Sequence, residues 1–266
     1  MKPILVILFV GCLFFEELNG QVQVGVDKSK FADVARARYY NLEHQGLVSF
    51  TCDVKVDWET VPKQMLLPAE IAGRKRLEAT RIKATLGPRS SPVVKHEYTP
   101  DTPALAKVAY DPFFVWLSDV VTGFLMTWEV KGIVGPIPGE NNISTVTPTS
   151  SGYSVFLVGP SVKLLVTKNY QVAEAISSFG NETIDEHFVF TPSPDGLLFT
   201  RAEAVDKQGD NTTRIQYDVD YSPVDSLRLP HNVHLVVNDN INMKFSFENC
   251  SVIRGDVVEV SAHKAK

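Results

Sequence analysis

The sequence predicts a mainly antiparallel β protein. Three observations carry that prediction. The run TRIQYDVDYSPVDSLRLPHNVHLVVNDNINMKFSFENCSV from Thr213 to Val252 holds three alternating segments broken by Pro-containing or Asn/Asp-rich turns, the pattern of a meander with one buried and one wet face. The stretch from Tyr153 to Val205 holds five further strand patterns with Gly, Pro and Asn between them. Strong helical spacing is confined to two segments, one near the N-terminus and one apolar segment in the middle of the chain.

Residues 1 to 20 come first: a single Lys2, an apolar run from Ile4 to Phe15 and a more polar end before Gln21, the layout of a secretory signal peptide cut after Gly20. A lipid-anchored form through Cys12 is the weaker reading, because Leu13-Phe14-Phe15 makes a poor tether after an acylated cysteine. Losing Lys2, Glu16 and Glu17 moves the formal net charge from −5 to −4, and such mild acidity argues against a nucleic-acid partner. Residues 21–266 then form a single domain, long enough for one large core, with no linker, repeat or low-complexity tract to divide it. After cleavage only Cys52 and Cys250 remain. In an oxidising compartment they are expected to form a disulfide, two unpaired buried thiols being the alternative.

From Asp27 to His44 the apolar positions Phe31, Val34, Ala35, Tyr39 and Leu42 recur at helical spacing, with Asp27 as N-cap and Gly46 as stop. From Leu47 to Trp58, Val48, Phe50, Cys52, Val54, Val56 and Trp58 alternate with polar residues, which predicts a strand with one buried face. Pro68 to Thr80 is weakly helical, and Arg81 to Leu86 and Val93 to Tyr98 read as strands around a Gly-Pro-rich turn. Asp111-Pro112 followed by FFVWLSDVVTGFLMTWEV predicts a capped helix from Phe113 to Val130, with Phe113, Trp116, Val120, Phe124 and Trp128 on one stripe and Phe114, Val121 and Leu125 on a second. A helix apolar nearly all round is expected to be buried on most sides, and Asp119 at its middle argues against a transmembrane span. Lys131 to Gly152 reads as a loop able to serve as a hinge for this helix. The total is about eleven strands.

The phrase Pro223-Val224-Asp225-Ser226-Leu227-Arg228-Leu229-Pro230, then an apolar strand, then Phe245-Ser246-Phe247-Glu248-Asn249, resembles the final strands of bacterial outer-membrane lipoprotein-sorting proteins of the LolA/LolB-like superfamily. An opening helix that feeds a long alternating strand is similar to the way that fold begins. The resemblance implies an incomplete antiparallel β-barrel whose concave face is covered by helices. It also implies a location in the bacterial envelope, periplasmic or secreted, with a possible envelope protein partner. In that setting the apolar helix is a lid over a hydrophobic guest such as an acyl chain or lipoprotein. The residues that would line the site are Phe50, Val54 and Trp58 on the first strand, Phe113, Trp116, Val120, Phe124 and Trp128 on the helix, and Phe245 and Phe247 on the last strand. The family's early Arg-Pro strand followed by an Asp-Gly turn is absent. The alternative is a structural or protein-interaction module whose core is filled by its own helix, and a secreted hydrolase comes third.

No catalytic or cofactor motif accompanies these patterns: there is no Gly-x-Ser-x-Gly, His-Glu-x-x-His, Cys-x-x-Cys or phosphate-binding glycine loop, so neither an enzyme nor a cofactor is expected. His231 and His234, three apart in a strand, fall on opposite faces and make no metal pair. Asp218 and Asp220 share a face with Arg214 and Gln216 and read as a solvated sheet surface. Asp185, Glu186 and His187 read as strand neighbours, and Arg254-Gly255-Asp256 as a chance tripeptide. The sequons at Asn142, Asn181, Asn211 and Asn249 have no role in a bacterial setting.

Overall fold

The computed structural model describes residues 26–61, 74–159 and 161–255. The leader, Cys12 and residues 68–73 of the weakly helical segment lie outside the described residues. Among the described residues three α-helices, α1 (Lys28–Arg36), α2 (Arg74–Ala79) and α3 (Ala104–Trp128), accompany twelve strands. The strands are β1 (Leu47–Val56), β2 (Arg81–Leu86), β3 (Val93–Glu97), β4 (Ile143–Pro148), β5 (Gly152–Leu157), β6 (Ser161–Thr167), β7 (Val172–Phe179), β8 (Glu182–Ser193), β9 (Gly196–Gln208), β10 (Asn211–Val224), β11 (Leu227–Val237) and β12 (Ile241–Arg254). They form one antiparallel sheet in the order β3-β2-β1-β12-β11-β10-β9-β8-β7-β6-β5-β4. The sheet is open, with β3 and β4 as its edges. The chain is therefore mainly β, an unclosed antiparallel sheet with an N-terminal helix and one long apolar helix. The extra strand is β4, inside the segment expected to be a hinge loop.

The chain makes two compact units. One combines the stretch ending at Tyr40 with Gly135–Asp218 and Val236–Asp239. In it α1 is capped by Asp27, whose carboxylate accepts from the Lys30 amide at 3.2 Å. Phe31 buries its ring edge-on against Tyr153, with centroids 5.1 Å apart. The helix stops at Arg36 rather than His44, because the next residues join the sheet. Leu197 N donates to Arg38 O, and Tyr40 N donates to Leu197 O. Gly196 makes this approach possible: at φ 124° a Cβ there would lie 2.7 Å from Tyr40 N. Tertiary pairing thus overrides a helical periodicity that continues through Leu42.

The second unit combines Asn41–Val134, Val219–Leu235 and the stretch from Asn240. Its core strands are β1 and β12, paired so that Val54 faces Phe247 and Val56 faces Phe245. The alternation in β1 is broken once. A register shift between Leu47 and Ser49 buries Leu47 and leaves Val48 half exposed, so Val48 leaves the apolar face on which the sequence pattern put it. A second shift, between Thr51 and Asp53, gives β12 extra length at Asn249 and Cys250, with Asn249 at φ 49°. Cys250 there forms a disulfide with Cys52, joining neighbouring strands with a Cα–Cα distance of 4.1 Å.

Candidate functional site

The site is built from α3 and the strands beneath it, all within the second unit. Helix formation begins seven residues earlier than Asp111, at Ala104, since ALAKVAY supplies good helix formers ahead of the apolar run. Pro112 consequently lies inside the helix instead of at its first position. It removes one backbone donor at a cost of about 3 kcal/mol, which the buried face must offset. Asp111, no longer a cap, accepts from the Tyr98 hydroxyl at 2.7 Å. Burial and that neighbouring carboxylate together push the Tyr98 phenol well above its ordinary range.

Tyr110, Phe113, Phe114, Leu117, Val121, Phe124, Leu125 and Trp128 form the buried face, spaced three and four apart along the whole helix. Phe114 stacks on His96 of β3, with centroids 4.8 Å apart, and Phe113 lies 5.5 Å from Trp58. Phe124 packs on both Phe245 and Phe247 at 5.8 Å, and Trp128 sits edge-on to Phe50 at the same distance. Of the ten residues expected to line a guest site, Phe50, Val54, Phe113, Phe124, Trp128, Phe245 and Phe247 are thus buried on one apolar face. Each such side chain contributes roughly 1.5 to 3 kcal/mol of burial free energy.

The other three are only half-buried: Trp58, just past the end of β1, and Trp116 and Val120 on the flank of α3. Leu117 and Val121 take the places that the sequence stripe gave to Trp116 and Val120, since a 3.6-residue period carries every-fourth positions off the face. The Trp116 Nε1 is shut off from solvent and makes no hydrogen bond.

The opposite face of α3 corrects the expectation of burial on most sides. Leu105, Val108, Val115 and Met126 recur along it at helical spacing around exposed Asp119, with Val130 in the turn that follows, and all are exposed, Leu105 at 86% and Val108 at 70%. With the following turn, α3 is long and apolar enough to cross a membrane by length and composition, a test that core helices also pass.

Polar bonds hold the C-terminal end of α3 as well. Trp128 Nε1 donates to the Tyr221 hydroxyl at 3.0 Å, and the Arg89 amide donates to Glu129 at 2.6 Å. Burial raises the Glu129 carboxyl above the usual carboxylate range, partly opposed by that amide bond. The helix ends in a π-helical turn, Glu129–Ile133, with Gly132 and Ile133 buried. Gly132 is required for contact rather than for torsion: a Cβ would fall 2.6 Å from the Trp128 indole nitrogen. The segment expected to be a long hinge is therefore packed at its start.

A separate groove of about 310 Å³ is lined by Thr51, Lys83, Thr85, Val93, Lys95 and Glu97. Its three charged side chains suit a long apolar chain poorly.

The remaining sequence candidates resolve into sheet surface. Asp218 accepts from Arg201 and Gln216, and Asp220 accepts from the amide and side chain of Asn232. Asn249 donates to Asp53 at 3.0 Å, and Arg254 donates to the carbonyls of Asp225 and Gln45. Asp256 of the tripeptide lies outside the described residues. Asp185 and His187 share a face with Glu174 of the neighbouring strand, a partner 11 residues away that strand-local reading does not supply. No protein-family model, curated protein or solved structure matches this chain.

Proposed function

We propose that this protein binds a hydrophobic or acylated ligand beneath α3, as a non-enzymatic carrier or receptor exported to the bacterial envelope. The observation that carries the reading is the two-sided apolarity of α3. Its inner stripe packs on Phe50, Phe245 and Phe247, while Leu105, Val108, Val115 and Met126 are exposed on the other side. A helix that only plugs a core has no use for an apolar outer face. A lid that exchanges one apolar surface for another does, since lifting it off the sheet costs little when an acyl chain takes over the buried contacts. The resemblance of Pro223–Pro230 and Phe245–Asn249 to the lipoprotein-sorting proteins supports the same ligand class and compartment.

A second reading has its own observation. The inner stripe and the sheet residues under it are packed on one another with almost no exposure, as in a structural or protein-interaction module whose core is self-filled. Titration with a fluorescent fatty-acyl probe separates the two. Under the carrier reading wild type binds saturably, Phe124→Glu weakens binding at least tenfold because a carboxylate must be desolvated beside the chain, and Asp218→Asn leaves it unchanged. Under the self-filled reading folded wild type binds nothing and Phe124→Glu only lowers thermal stability.

A further inference from the structure

The cluster formed by Glu174 of β7 with Asp185 and His187 of β8 offers three ligand atoms that lie within 4.8 Å of one another. We infer that it is a binding site for a first-row divalent cation of the zinc type. Asp185 and His187 are two apart on β8 and so point the same way, and Glu174 stands directly opposite His187 in the ladder. The imidazole lies between the carboxylates, Nδ1 at 4.0 Å from Glu174 and Nε2 at 3.6 Å from Asp185. Both distances are too long for hydrogen bonds.

Charge and solvation both leave room for a cation. Among the described residues no lysine or arginine pairs with Glu174 or Asp185, so with the imidazole neutral, as a metal ligand must be, the trio carries two negative charges. Asp185 is flanked in the sheet by Ile176 and Val205, neither of which has a side-chain donor to give it. Its Oδ1 is closed to solvent and has no hydrogen-bond partner, while the side chain as a whole is 42% exposed and open to an ion from outside. Glu203, across the sheet from His187, is engaged by Arg201 at 3.7 Å and adds no fourth ligand. A cation with metal–ligand bonds of about 2.0–2.2 Å needs donor atoms roughly 3–3.5 Å apart, so binding requires side-chain rotation that draws together the three ligand atoms, which lie within 4.8 Å of one another. One imidazole and two carboxylates match zinc, with water in the open position. The ion would staple β7 to β8.

The test is calorimetric titration of the untagged full chain with Zn²⁺, alongside NMR of the histidine rings. One Zn²⁺ per chain is expected, with the His187 ring signals shifting. His187→Gln and Asp185→Asn should each weaken binding at least about tenfold, the lower end of what losing even an outer-shell partner costs. His231→Gln, whose ring lies beside Asp220 and Asn232 and away from the cluster, is the control and should bind as wild type does. If one of the two variants fails to fold by circular dichroism, the other carries the comparison. Absence of Zn²⁺ binding by wild type, or binding that persists undiminished in the folded variants, overturns the site.

Discussion

Gly132 and Trp128 form the smallest unit on which the site depends. The missing Cβ of Gly132 leaves room for the indole whose Nε1 donates to Tyr221. Gly132→Ala should displace that ring and break the bond, costing about 1–3 kcal/mol as an overpacked core position. Tyr221→Phe, which removes the accepting hydroxyl, should cost about 1–3 kcal/mol through the unsatisfied indole N–H. Chemical denaturation followed by tryptophan fluorescence measures both. Asp206 on β9 gives a pH-dependent counterpart. Its Oδ1 is buried without a partner, and desolvation raises its pKa. A carboxyl whose folded pKa is raised favours folding while protonated, below its unfolded pKa of about 4, and loses that contribution as pH rises through the folded value. Asp206→Asn should therefore raise the melting temperature at pH 7, and the gain should vanish below about pH 4. A melting temperature unchanged at pH 7 would contradict this.

At the scale of elements, α3 separates what local pattern specifies from what packing decides. The helical period and the aromatic anchors Phe113, Phe124 and Trp128 are legible as sequence, and so is the alternation that puts Phe50, Cys52 and Val54 on one side of β1. The start of α3 is not, because Pro112 after Asp111 imitates a helix opening while the preceding ALAKVAY segment propagates through it. Nor is the inner face, since Leu117 and Val121 compete with Trp116 and Val120 on hydropathy alone. Strand β4 hides for a different reason: ISTVTP ends in proline and is bounded by Asn, Pro and Ser, and it is tolerated because β4 is an edge. The Glu174–His187 pairing depends on the register of two strands, and the bulges in the β1–β12 ladder shift one residue at a time. Neither is encoded in composition. The outer face of α3 yields its own prediction: Val115→Lys, at an exposed position, should change stability by less than about 0.5 kcal/mol, read from the denaturation midpoint.

At the scale of the whole molecule, Cys52 and Cys250 close a loop across a sequence separation of 198, from the first strand to the last. Reducing the bond should destabilise the chain by roughly 5 kcal/mol in the chain-entropy model. Comparing urea midpoints of wild type with the Cys52→Ala/Cys250→Ala double variant tests that figure, and equal midpoints would refute it. The open sheet and the two-faced helix also frame the central claim, that the apolar surface under α3 receives a guest. Native mass spectrometry of the full protein, purified without detergent from its own cells and again after delipidation and incubation with acyl lipids of several chain lengths, tests it most directly. The predicted result is a one-to-one complex that retains a single acyl-bearing molecule and is lost in Phe124→Glu. A bare chain under every one of these conditions would contradict the account and leave α3 as the plug of a self-filled core.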